Sequence, residues 1–114
     1  MDYEKYLPHI DVNDGKARIM NNMALYMTLL KKFKGRQMTD DLLAASKEGD
    51  YAAVVQFAHA LRGTASNLSF PALAEVTSEI EALAKASQDC SHLTERLDVT
   101  VRDLENAIAE LTTA

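Results

Sequence analysis

Apolar residues recur along this chain at spacings of three and four, the periodicity of helices that bury one face. The clearest stretch runs from Tyr51 to Leu68, with a stripe of Val54, Phe57, Ala58, Leu61, Ala65 and Leu68. At roughly 100° per residue, His59 points about 150° away from the centre of that stripe. Its neighbours on the outer face are Ala52, Val55, Gln56, Arg62, Gly63 and Ser66. That face is mostly small, with one cation and one mid-helix glycine.

Punctuation sets the other elements. Met1 to Leu7 reads as a turn or short helix ending before Pro8, because the residue before a proline avoids the helical region. Asp14 opens a short helical piece through about Met20, carrying Ala17 and Ile19. Asn21 or Asn22 caps a helix with Met23, Leu25, Tyr26, Leu29, Leu30 and Phe33 apolar, closed by Lys34-Gly35. A third helix starts near Thr39, turns Met38, Leu42, Leu43 and Ala45 inward, and ends at Lys47-Glu48-Gly49. Asp50 caps the His59 helix, and Ser69 caps the next, with Pro71 in its first turn. That helix carries Leu73, Val76, Ile80, Leu83 and Ala84. After the polar turn Ser87 to Ser91, the last helix repeats Leu93, Leu97, Val101, Leu104, Ile108 and Leu111. No strand pattern is present, so the fold class is all-α, and the short connections imply antiparallel neighbours.

Composition narrows the class. The chain has 114 residues, 47% of them hydrophobic and 25% charged, as expected for one globular domain spanning residues 1–114. A net charge of −5 disfavours nucleic acid. The one cysteine, Cys90, excludes an internal disulfide and permits a reducing compartment. Neither a signal-peptide pattern nor a long apolar run is present, so a cytoplasmic protein without a membrane partner is expected. Met1 and a full set of helices favour a free-standing chain, and a monomer is expected.

The outer face of the His59 helix is shaped for a phosphoryl group. An unperturbed imidazole titrates at about pH 6.5, so its nitrogen is an available nucleophile at neutral pH. Arg62, one turn away, brings a guanidinium to phosphate oxygens. A mid-helix glycine costs about 1 kcal/mol relative to alanine, so Gly63 suggests that something must approach His59 closely. No carboxylate cluster for Mg²⁺ and no nucleotide motif accompany these residues. A partner must therefore supply the metal and the donor or acceptor carboxylate.

The decamer His59-Ala60-Leu61-Arg62-Gly63-Thr64-Ala65-Ser66-Asn67-Leu68 resembles the H-x-L-K/R-G-x-x-x-x-L signature of histidine-containing phosphotransfer (HPt) domains. Ile10 to Arg18 resembles the segment leading into the family's first helix, and Glu48-Gly49-Asp50-Tyr51 its turn before the histidine helix. Leu73 to Glu81 resembles the helix behind the site. Two positions depart: Ser69 stands where glycine is usual, and Arg62 where lysine is commoner. The resemblance implies an antiparallel four-helix bundle with short additional N-terminal helices. It implies His59 as phosphoacceptor, exchanging phosphoryl with an aspartate of a response-regulator receiver domain or the receiver of a hybrid histidine kinase. Mg²⁺ is expected on that receiver, and no cofactor on this chain, which is not expected to be an enzyme with its own ATP site.

Other residues have simpler readings. His9 and His92 carry no expected chemistry, and Cys90-x-His92 is not a zinc spacing. Met23, Met27 and Met38 read as core filler. Ala52, Val55, Gln56 and Ser66 are candidate docking residues, with Ile19 or Met20 as further apolar rim. A second reading is a helical adaptor that docks on a receiver or kinase domain without being phosphorylated. An adaptor has no need of an outward histidine beside an arginine and a glycine.

Overall fold

The computed structural model describes residues 2–113, and within them every regular element is helical. A 3-10 turn at Glu4–Tyr6 is followed by α1 (Val12–Ala17), α2 (Met23–Lys31) and α3 (Gly35–Lys47). Then come α4 (Tyr51–Leu68), α5 (Pro71–Lys85) and α6 (Ser91–Thr113). The turn at Glu4–Tyr6 matches the expected N-terminal turn; Met1 lies outside the described residues. The last four helices close a bundle: α4 packs on α3 and α5, and α6 packs on α5 and α3. The expected stripes form its core. Val54, Ala58, Leu61 and Ala65 of α4 meet Leu73, Val76 and Ile80 of α5 and Leu97, Val101 and Leu104 of α6, all within 1% of full burial. Met23, Met27 and Met38 are only half-buried and pack on the edge of this core.

Short turns fix the order of the helices. Gly49 takes a left-handed φ of +71° after α3, and the Asp50 side chain accepts from the Ala53 amide to start α4. Asn22 caps α2 in the same way, accepting from the Leu25 amide. The N-terminal segment is fastened to the corner between α4 and α5. The Asp11 amide donates to the Ser69 carbonyl and the Ala72 amide to the Pro8 carbonyl, each at 2.9 Å. The Tyr26 hydroxyl donates to the Leu68 carbonyl at 2.6 Å.

Four boundaries differ from the sequence expectation. α1 begins at Val12 rather than Asp14, because Asp11 is the cap that accepts from the Asp14 amide. It ends at Ala17, short of Met20. Gly35 does not close α2 but opens α3, some four residues before Thr39. The Phe33 ring lies where a Gly35 side chain would be and packs edge-on against Phe70. Ser69 is not the cap of α5. It ends α4 in the left-handed conformation, φ 62°, and its hydroxyl donates to Asp14 Oδ2. Phe70, with no side-chain cap bond, precedes α5 instead. The left-handed geometry is the physical reason a glycine suits this corner.

Candidate functional site

α4 is amphipathic enough that burying Val54, Ala58 and Leu61 forces His59 out of the bundle. Its side chain is 66% exposed. Ala52, Gln56, Gly63 and Ser66 are exposed on the same helix, and Val55 and Arg62 are half-buried. Sequence reasoning therefore brings its candidates to one surface. A Cβ built on Gly63 meets nothing within 4 Å. No packing among the described residues requires this glycine, and Gly63 is itself exposed.

The residue that organises the site comes from the neighbouring helix. Glu81 of α5 is only 4% exposed, and its carboxylate gathers three donors. Arg62 Nε donates to Oε1 at 2.8 Å, and Lys85 Nζ sits 3.0 Å from Oε2. His59 Nδ1 lies 3.3 Å from the same Oε2. The Arg62 hydrogen bond, joined by those of Lys85 and His59, lowers the Glu81 pKa to about 2 against the opposing effect of burial. Glu81 is thus a carboxylate at neutral pH and can only accept.

That ionisation selects a tautomer. An ionised Glu81 bonds Nδ1 only when Nδ1 carries the ring proton. The lone pair then sits on Nε2, which makes no hydrogen bond with any described residue. Arg62 Nη2 lies 3.1 Å from Nδ1 as well. Nδ1 cannot donate to Glu81 and accept from Arg62 with one position, so the two partners favour opposite tautomers. The charge of the carboxylate favours the one that frees Nε2 for attack.

Beside the imidazole runs a shallow groove lined by Arg62, Ser78, Glu81, Ala82 and Lys85. Arg62 lies between the two helices, bonded to Glu81 and close to the imidazole. It pairs with a carboxylate, and that pairing keeps its guanidinium within one turn of His59. The sequence reading missed Glu81 and Lys85. The signal was present: Glu81 falls on the buried stripe between Ile80 and Ala84, and a buried carboxylate requires cationic partners.

The remaining candidates are elsewhere. His9 Nε2 is 3.9 Å from Asp103 Oδ2, and His92 is an exposed residue at the start of α6. Cys90 is buried beside Ser46. No group of three potential metal ligands occurs among the described residues. Met20 is 92% exposed, whereas Ile19 is half-buried against the core.

No helix of the described chain is long and apolar enough to cross a membrane. No curated protein and no solved structure matches the chain. One family model does match, that of the Hpt domain, over residues 30–114. It takes in the whole four-helix bundle and the His59 face, and the chain belongs to the Hpt family.

Proposed function

We propose that His59 accepts a phosphoryl group on Nε2 and exchanges it with an aspartate of a response-regulator receiver domain. Hpt domains act in histidine phosphotransfer within phosphorelays and interact with receiver domains; they are carriers rather than ordinary enzymes. The observation that carries the assignment to His59 is its paired geometry. Nδ1 is held against a buried, ionised Glu81 while Nε2 stands free on an exposed face.

The step balances without a separate base. The Nε2 lone pair attacks phosphorus, an N–P bond forms, and the P–O bond to the partner's aspartate breaks to release a carboxylate. The ring keeps its Nδ1 proton and becomes a phospho-imidazolium, whose positive charge faces the Glu81 carboxylate. Reversal needs no proton shuttle, which suits a carrier that must both load and unload. Arg62 neutralises charge on the phosphoryl oxygens. Mg²⁺ on the receiver would supply the charge neutralisation that this chain's residues do not provide on the aspartate side. Ala52, Val55, Gln56, Gly63 and Ser66 form the docking surface, with small side chains that let the receiver approach. We place the reaction in the cytoplasm and treat residues 1–114 as one domain acting as a monomer.

The test is to mix the protein with receiver domains charged by acetyl phosphate. Acid-labile, base-stable phosphate on wild type but not on His59→Gln supports the reading. A chain that binds the charged receiver without taking up label is the non-phosphorylated adaptor instead.

A further inference from the structure

Two cations, Arg62 and Lys85, converge on the Glu81 carboxylate. They reach it from different elements, Arg62 from α4 and Lys85 from the last turn of α5. Lys85 Nζ and His59 Nδ1 bind the same oxygen, Oε2, at 3.0 and 3.3 Å, so the ammonium sits beside the imidazole. Arg62 binds the other oxygen, Oε1, at 2.8 Å, so both oxygens of the carboxylate that faces the imidazole carry a cation. The Lys85 side chain is 63% exposed on the rim of the α4–α5 groove. An ammonium has three donors, and only one is used on Glu81.

We propose that Lys85 is a second phosphoryl-binding cation, which turns from Glu81 to the oxygens of the phosphoryl group once His59 is loaded. The inference rests on His59 as phosphoacceptor and deepens that reading. Phosphorylation brings two negative charges next to an ammonium that is already in place. Glu81 acts as its anchor in the unloaded state. Its release is offset by the positive charge that appears on the phospho-imidazolium facing the same carboxylate. Lys85 and Arg62 then both hold the group, and the bound oxygens are shielded from the surrounding net negative charge of the protein.

The experiment loads the full chain with phosphoramidate, which needs no partner protein. Nε2 attacks phosphorus, and ammonia leaves as the P–N bond of the reagent breaks. The phosphohistidine signal is followed by phosphorus NMR, with His59→Gln marking any label on His9 or His92. The expected result is that Lys85→Gln shortens the half-life of phospho-His59 by about two- to five-fold at low salt, the range of one exposed ion pair. Lys85→Arg restores most of it, and the difference fades at high salt. The ring tautomer of unloaded His59, read by nitrogen NMR, stays the same in Lys85→Gln, because the Glu81 carboxylate still sets it. Equal half-lives at low salt overturn the proposal. So does a shortened half-life that is indifferent to salt, is not rescued by arginine, or comes with a changed tautomer, since Lys85 then acts through Glu81 alone. Failure of phosphoramidate to load His59 at all overturns it together with the phosphoacceptor reading. Normal loading with a Lys85 effect, but no exchange with any receiver, leaves this proposal standing and removes only the transfer reading.

Discussion

His59 Nδ1 and Glu81 Oε2 face each other across 3.3 Å, joining an exposed side chain of α4 to a buried carboxylate of α5. Twenty-two residues and a helical corner separate them in the chain. Only the packing of α4 on α5 makes them partners, so the reactivity of His59 depends on the bundle as well as on its own helix.

This pairing predicts the effect of Glu81→Gln. A carboxamide can accept from Nδ1–H or donate to a bare Nδ1, so it no longer selects the tautomer. Transfer should fall about tenfold, equivalent to about 1.4 kcal/mol. Nitrogen NMR of the imidazole should show both tautomers where wild type shows mainly the Nδ1–H form. An unchanged tautomer with an unchanged rate rejects the role given to Glu81.

The same carboxylate gives stability a pH dependence. Its folded pKa, about 2, lies below the ordinary value of 4.5. A lowered carboxylate pKa stabilises the fold fully above the ordinary value and loses that contribution as pH falls toward the folded one. Wild type should therefore lose stability between these limits more steeply than Glu81→Gln, which has no charge to protonate there. Chemical unfolding at pH 5, 4, 3 and 2 checks this. Parallel pH profiles for the two proteins contradict it.

Nucleophile and fold should separate cleanly. His59→Gln should abolish phosphoryl uptake while changing stability by less than about 0.5 kcal/mol, because the side chain contributes nothing to the core. Gly63→Ala should be stabilising by up to about 1 kcal/mol, since no neighbour among the described residues meets the new methyl group. Gly63→Glu should block exchange with a receiver while leaving the melting temperature close to that of wild type. Normal exchange by Gly63→Glu means the open space above Gly63 is not an approach path.

The corner after α4 offers a test of backbone strain. Ser69 holds φ at 62° and donates to Asp14 Oδ2. Holding a non-glycine residue in this region costs roughly 1–2 kcal/mol. Ser69→Gly removes that cost along with the hydrogen bond, whereas Ser69→Ala keeps the cost and loses the bond. Ser69→Ala should therefore melt well below Ser69→Gly, with the glycine variant near wild type. If both variants instead melt equally far below wild type, the Asp14 bond rather than backbone strain dominates this corner.

Much of this was legible from periodicity. The stripe Val54, Ala58, Leu61 and Ala65 is a helical face, so its complement carried His59, Arg62 and Gly63 to the surface by geometry alone. Asp50 and Gly49 marked their turn because capping is local chemistry. Gly35 and Ser69 were misread because both were judged by local preference. Packing decided otherwise, through the Phe33 ring at Gly35 and the hold of Asp14 and the N-terminal segment on Ser69. Glu81 and Lys85 belong to a contact between helices, which spacing within one helix does not reveal. A charge on the stripe beside Ile80 and Ala84 was nonetheless visible as an exception that needed a partner.

Arg62 carries the last prediction, because it already has a partner when the site is unloaded. Its Nε donates to Glu81 at 2.8 Å, and its Nη2 lies 3.1 Å from His59 Nδ1. Arg62→Ala removes a phosphoryl cation and also the competitor of Glu81 at Nδ1. The loss should slow transfer and shorten the phospho-His59 lifetime, though modestly, because a contact 39% exposed is screened by water and salt. Arg62→Lys keeps the charge but gives up the planar fork that reaches Glu81 and the imidazole together. It should retain much of the lifetime and recover less of the transfer rate, where geometry counts. Rates for the three proteins at low and high ionic strength separate the two contributions. The part due to charge shrinks with salt, and the part due to geometry does not. If all three transfer alike at both ionic strengths, Arg62 serves only to pair with Glu81, and the phosphoryl group takes no charge from it.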